Sequence, residues 1–318
     1  MNRRNALLGA LLAASLTSAF AQQQPLKIVV PFAAGGGTDS FLRMLADELT
    51  KRGTRTIVEN KPGGSAVIAA DYVARAKPDG NTIVMSFVGM MGTNTILFDK
   101  LPYDPQKDFT AVSQVAYQPT IIVARTDLPY KNLKEMVEYA KANPGKINRG
   151  SPGPAILSNL APIAFEQSIG ISTNHVPFNG DAPAIQAMLS DSIDIYGTSI
   201  TSSLPHIKSG KFRVLGVMDS KRLPQVPDAP TFKEMGYNFE APLRYYLSAP
   251  GATPKDVVAK LNKSINEVLV DPAFIERARG IGMEPQGGTP IEMERLLNSE
   301  IARWNPMIKS LNLPKAGQ

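Results

Sequence analysis

The stretch LKIVVPFAAGGGTDSFLRML, residues 26–45, decides the architecture of this 318-residue chain. Residues 26–31 read as an apolar run, the pattern of a strand covered on both faces. Gly35, Gly36 and Gly37 follow, and then Phe41, Leu42, Leu45 and Leu49 recur at helical spacing. A strand that turns through glycines into an amphipathic helix is the opening unit of an alternating α/β fold.

The alternation continues. RTIVEN (55–60), NTIVMSF (81–87), PTIIVART (119–126), GKINRGS (145–151), TNHVPF (173–178), SIDIYGTS (192–199), KFRVLGVM (211–218) and RYYLSAP (244–250) read as strands. Helical patterns over 66–76, 133–145, 157–168 and 182–190 separate many of them. Parallel sheets flanked by helices are expected. The last quarter is helical. Thr253-Pro254 with Asp256, and Thr289-Pro290 with Glu292, read as helix starts, the second as a capping box. Two similar α/β stretches, with the tail returning to the first, predict two lobes.

In such sheets ligands sit beyond the carboxyl ends of the strands. Those ends are small or polar here: the glycine loop, Ser86, Gly150-Ser151, Phe178-Asn179-Gly180 and Gly197-Thr198-Ser199. Two lobes facing each other with these edges make a cleft. The glycine loop itself lacks the Lys-Ser/Thr of a phosphate-binding nucleotide loop, and Ser40 stands where G-x-G-x-x-G needs glycine. Free N–H groups at a helix start favour a small anionic oxygen, directly or through water. Asp39, in the first turn, opposes a bare anion and is expected to cap the helix.

The remaining composition excludes more than it assigns. MNRR, an apolar run and AFA at 19–21 read as a secretory leader cleaved after Ala21, too short to span a membrane stably. Removing 1–21 leaves 32 basic and 28 acidic residues, scattered, without the basic stripe of a nucleic-acid binder. There is no cysteine, hence no disulfide, thiolate metal site or lipid-modified cysteine. His175 and His206 are far apart and show no metal spacing, so both read as structural. Asp191 and Asp194 read as solvated turns. No G-x-S-x-G elbow or other nucleophile–base arrangement is present, so no catalytic residue, cofactor or metal is assigned.

Six segments in order, IVVPFAAGGGTDSFLRMLADEL, VENKPGGSAVIAADYVARAKPDGNTIVMS, KLPYDPQKDFTAVSQV, HVPFNGDAPAIQAMLSDSIDI, LPHIKSGKFRVLGVMDSKRLPQVPDAPTFKEMG and PQGGTPIEMERLLNSEIARW, resemble the Bug-type receptors of tripartite tricarboxylate transporters. The resemblance spans essentially the whole chain after the leader. It implies a two-lobed periplasmic-binding-protein fold, each lobe a mostly parallel sheet flanked by helices, with the ligand cleft between. The expected division is 22–122 for the first lobe, 123–245 for the second and 246–318 for the return. It also implies a small carboxylate as ligand, membrane permease subunits as partners, no nucleic acid, a periplasmic location and no enzymatic activity; a monomer is the default.

In that family two loops of the first lobe pincer one carboxylate, partly through ordered waters. The matching residues here are Phe32, Ala33, Gly36 and Gly37, then Ser86 and Gly89 within 86–91. The second-lobe candidates are Ser151, Gly153, Ala155, Asn159, Phe178, Asn179 and Thr198. The chain departs from the pattern where Ala155, Ile156 and Leu157 replace glycine and hydroxyl residues and Asn159 stands where histidine is frequent. Those changes disfavour a many-hydroxyl ligand, whose polar groups would go unpaired against Ile and Leu. They favour an aromatic acid or dicarboxylate, with Arg244 as bidentate partner of a distal carboxylate. Ile156 and Leu157 either line the cleft or turn to the core. An amino acid, a C4 acid or a tricarboxylate, and a signalling rather than a transport partner, are the alternatives.

Overall fold

The first strand, β1 (Leu26–Val30), lies between β2 (Thr56–Asn60) and β3 (Thr82–Ser86), parallel to both. This is the arrangement its apolar run demands, and Ile28, Val29 and Val30 are fully buried. The structure is a computed structural model that describes residues 24–153, 156–178, 180–313 and 315. The leader expected over 1–21 and the candidates Ala155 and Asn179 lie outside the described residues.

Helix α1 (Gly37–Lys51) follows the glycine loop, and α2 (Val67–Ala74) joins β2 to β3. Residues Gly89–Thr93 form a wide helical turn leading into the short α3 (Asn94–Leu97). The strand expected over 119–126 is much longer: β4 runs Phe109–Arg125. Its early part pairs antiparallel with β9 (Pro242–Pro250), which in turn pairs with β3. From Thr120 onward β4 pairs instead with β7 (Ile195–Ser199) and β8 (Phe212–Met218). One strand thus belongs to both sheets, and β9 runs back beside it. Only the end of β4 is visible in the apolar pattern, because Gln114, Gln118 and Pro119 interrupt it.

The second sheet continues from β7 to β5 (Asn148–Ser151) and β6 (Asn174–Pro177), all parallel. Helices α4 (Leu133–Ala142), α5 (Leu157–Ser168), α6 (Asp181–Leu189) and α7 (Ile200–Lys208) connect these strands. Pro162 sits inside α5 and cannot donate to the Ser158 carbonyl. Gly197 of β7 is packed there, so close that a Cβ would lie 2.6 Å from that oxygen. The mostly parallel sheets flanked by helices, with two strands crossing between them, are the two-lobed α/β architecture.

Helix α8 (Lys255–Leu269) packs on α1 and β4, followed by α9 (Pro272–Gly280), the two-residue β10 (Glu284–Pro285) and α10 (Pro290–Ser310). The capping box at Thr289 and Glu292 is present. The start at Thr253 is different: its hydroxyl donates to the Pro250 carbonyl and α8 begins without a side-chain cap. Helix α10 crosses the back of the molecule, with Ile301 against Gly92 of the first lobe and Trp304 against Phe239. Phe239 also meets Phe165 of α5, so one apolar cluster ties the tail to the second lobe.

Candidate functional site

The carboxyl ends of β1 and β3 point toward the second sheet, and those of β5 and β7 point back toward the first. The cleft is therefore edged by the loops after these strands. In the first loop Ala33, Ala34 and Gly35 are exposed, Gly36 is half-buried and Gly37 is buried. Phe32 stacks on Phe87, the ring centroids 5.6 Å apart, forming an apolar wall from the two loops of this lobe.

Asp39 does not cap α1; the cap residue is Gly36, which has no side-chain partner. Instead the buried carboxylate accepts the Gly35 N–H at 2.9 Å, Arg43 Nε at 2.9 Å and Asn60 Nδ2 at 2.8 Å. Asn60 Nδ2 also donates to the Phe32 carbonyl at 3.1 Å. Burial raises the Asp39 pKa, but the bonds from Arg43, Gly35 and Asn60 outweigh it and hold the group below the usual range. Its charge is spent beneath the loop, which removes the expected opposition to an anion above it.

Several predicted candidates are committed elsewhere. Ser86 is fully buried and its Oγ lies 2.7 Å from Ser248 Oγ of β9, an interstrand pair on one sheet face. Gly89 opens the buried turn 89–93. Ser151 Oγ is 2.7 Å from His175 Nε2 and donates to the Gly153 carbonyl at 3.2 Å. Burial first, then the Arg149 charge, push His175 down to about 4, so it is neutral. This Ser–His contact is one the sequence reading missed, because β5 and β6 bring it together only through their register. Both groups are held in the sheet, with Ser151 fully buried. Phe178 continues the chain beside this pair, its N–H donating to the Ser151 carbonyl.

Asn159 is likewise buried, its Oδ1 accepting Arg149 Nη1 at 2.7 Å. Arg149 also donates to Glu166 at 2.9 Å and Thr173 at 3.1 Å. Leu157 belongs to the core, which resolves one of the two open orientations, and Ile156 is half-buried against Gly153. Thr198 donates to Asp181 Oδ1 at 3.2 Å, and Asp181 also accepts from Tyr196 and Ser202. Asp191 and Asp194, expected as solvated turns, both pair with Arg125, and Asp191 stays exposed while Asp194 is largely covered.

Arg244 requires the clearest correction. It is expected from the sequence to face a distal carboxylate, yet it pairs with Glu300 of α10 at 3.2 Å and lies over the Tyr117 ring. Side chains alternate along a strand. Arg244 and Tyr246 share the face covered by α10, and Tyr245 points to the other.

Tyr245 is where the crossover contributes. Its hydroxyl accepts from Gln118 Nε2 at 2.7 Å. Gln118 Oε1 accepts from Thr201 Oγ1, at the start of α7, at 2.9 Å. Burial pushes Tyr245 up to about 12, so it is a neutral hydroxyl. Tyr245, Gln118 and Thr201 form a polar chain from the two crossover strands to the start of α7. Sequence reasoning missed it, although two glutamines inside the apolar run of β4 were a signal.

The site thus offers backbone N–H groups, neutral hydroxyls and a carboxamide, with Arg43, Arg149 and Arg244 each paired with a carboxylate. A tripartite tricarboxylate transporter family receptor profile matches residues 41–313. The chain belongs to that receptor family. A UPF0065 protein of Bordetella pertussis is 32% identical over 320 residues, covering 98% of this chain and 97% of that protein. BugT of the same organism is 29% identical, covering 90% of this chain and 89% of BugT. Among solved structures, periplasmic binding protein BugD superposes with a TM-score of 0.85 at 34% identity, over 92% of this chain and 99% of BugD. An R. palustris protein with adipate gives 0.88 at 30% identity, over 92% of this chain and 99% of that one. MatC from Rhodopseudomonas palustris, with bound malate, gives 0.83 at 32% identity, over 90% and 99%.

Proposed function

We propose that this family receptor works in the periplasm, captures a small dicarboxylate or aromatic acid between its lobes, and delivers it to permease subunits of a tripartite transporter. It does so as a monomer and without chemistry on the ligand. The observation that carries the reading is the first-lobe glycine loop. Its Asp39 charge is turned away beneath it, and Thr201 of the second lobe stands across from its helix start. A carboxylate there receives N–H bonds without displacing an existing ion pair, and a charge-assisted bond of that kind is worth roughly 1.5–3 kcal/mol.

Adipate and malate, bound by two structural neighbours, support an acid of this size. The stacked Phe32–Phe87 wall supports a ligand with an apolar or flat middle. The division of the lobes is proposed as 22–122, 123–245 and 246–318. The change of partners at Thr120 and the start of β9 at Pro242 support both crossovers to within a few residues.

Thermal unfolding of the chain lacking residues 1–21, run against malate, adipate, citrate, amino acids, benzoate, phthalate isomers and nicotinate, tests the reading. A ligand at about a hundred times its dissociation constant adds roughly 2.7 kcal/mol. A selective rise with dicarboxylates or aromatic acids supports the class. A rise only with amino acids or citrate overturns the ligand class, and no rise with any acid overturns the receptor reading.

A further inference from the structure

The three glycines after β1 are not equivalent. Gly35 has φ = +87° with nothing near its missing side chain, so the turn itself requires it. Gly36 has only the Ala33 carbonyl, at 3.9 Å, near a Cβ position. Gly37 is the first residue of α1, and its φ is not among the positive ones. Nothing in its own backbone calls for glycine, and alanine is the better helix former. Yet a Cβ there would lie 2.4 Å from Thr201 Cγ2 and 2.6 Å from Thr201 Cβ. Thr201 is on α7, in the other lobe. A Cβ atom cannot swing aside as the tip of a long side chain does.

Thr201 is also held from behind. Its hydroxyl donates to Gln118, and Gln118 donates to Tyr245 of β9. The contact therefore meets a residue that is tied through bonded groups to both crossover strands. Gly282 seats the same turn from the tail side, where a Cβ would lie 2.4 Å from Ile200 Cγ2. Gly282 has φ = +81°, so its own turn already accounts for it. Gly37 has no such second reason.

We propose that Gly37 and Thr201 form the closure stop of the receptor: the missing side chain at 37 lets the second lobe seat on the start of α1 and sets how far the lobes shut on a ligand. This rests on the receptor reading and extends it. It assigns Gly37 to the fit between lobes rather than to approach by the ligand, its expected role. Residue 37 acts on affinity through the closed state, as a positioning residue.

The absence of cysteine allows two labels to be placed alone, at Lys263→Cys on α8 and Lys208→Cys on α7, both exposed positions. Their separation is read by pulsed electron spin resonance with and without malate or adipate, whichever raises the unfolding midpoint of the parent. If another acid of the panel is the one that does, it serves as the probe. Gly37→Ala is expected to keep or raise the midpoint of the ligand-free protein. It should bind the probe at least tenfold more weakly and stay at the open separation where the parent is closed. Gly37→Ala combined with Thr201→Gly should regain closure and most of the affinity, measured against Thr201→Gly alone. A Gly37→Ala variant that closes and binds like the parent overturns the proposal. So does a loss that Thr201→Gly leaves unrelieved, which would mean that the new methyl blocks the ligand itself. A folded parent that neither binds nor closes with any acid overturns the receptor reading instead, and is seen without any variant.

Discussion

Arg244 and Tyr246 hold one carboxylate between them: Arg244 Nε lies 3.2 Å from Glu300 Oε1, and the Tyr246 hydroxyl donates to Oε2 at 2.6 Å. Burial dominates and pushes Glu300 up to about 7, against the smaller pull of Tyr246 and of the Arg244 charge. Two residues of β9, with Tyr245 between them, thereby fasten α10 to the back of the crossover, while Tyr245 points to the opposite face and meets Gln118.

A pH dependence follows from Glu300. Its native pKa lies above the ordinary glutamate value of 4.5, so the folded state binds the proton more tightly than the unfolded chain does. That contribution is complete below 4.5 and is lost as the pH rises toward about 7. At 1.36 kcal/mol per unit this is about 3 kcal/mol across the window. Urea unfolding of the parent and of Glu300→Gln between pH 4.5 and 8 should differ by that slope, the variant lacking it. Parallel profiles would show that Glu300 titrates normally.

Arg244→Ala separates the back of the crossover from the cleft. Removing the guanidinium takes away a favourable charge and raises the Glu300 pKa further, so the stability loss grows toward alkaline pH. Affinity for the cognate acid should stay within about twofold, because nothing places Arg244 among the cleft groups. Isothermal titration decides it, and a loss of tenfold or more would restore the distal-carboxylate role that the sequence suggested.

Asp39 predicts a coupled loss of stability and binding. Its buried carboxylate accepts from Gly35, Arg43 and Asn60, and Asp39→Ala leaves those donors unpaired. An unpaired donor costs about 1–3 kcal/mol where it is buried, but the exposed Gly35 N–H and Arg43 can turn to water, so the net loss is about 1–2 kcal/mol. Because the native pKa is depressed, the difference between parent and variant should be full at neutral pH. It should shrink as the pH falls below 3.8 toward the native value. Probe affinity should fall as well, since the loop loses the bond that fixes Gly35. Unchanged affinity with lowered stability would detach the loop from the ligand.

Much of the fold was legible because burial leaves a pattern. The apolar run at β1, the helical period of α1 and the Thr289–Glu292 capping box all depend on neighbours within one turn or strand. The site was legible only as loops. Which side of β9 faces the cleft depends on pairing with β4, a strand more than a hundred residues away, so the sequence put Arg244 forward although Tyr245 faces that way. Asn159 and Ser151 stand out in the sequence for their chemistry, but that chemistry is absorbed by Arg149 and His175, partners supplied by register and helix packing. The Gly37–Thr201 contact lies between lobes and has no local signature.

The most severe stability test is the buried pair of the second lobe. Arg149 is 1% exposed, bonded to Glu166, Thr173 and Asn159, and Glu166 accepts further from Thr173. Burial pulls the Arg149 pKa down and pushes Glu166 up, and the attraction between the two charges opposes both shifts. Such a pair adds little over an apolar filling, yet removing one member strands the other charge, at about 3–5 kcal/mol. Glu166→Leu should therefore destabilise strongly, whereas Arg149→Met with Glu166→Leu should recover a large share of the loss. Urea midpoints of the two variants and the parent measure this. The double variant also loses the donor to Asn159, at the start of α5, and so should retain stability better than it retains ligand affinity. A double variant as unstable as the single one would mean that Arg149 is needed for its bonds to Asn159 and Thr173 rather than as the partner of Glu166.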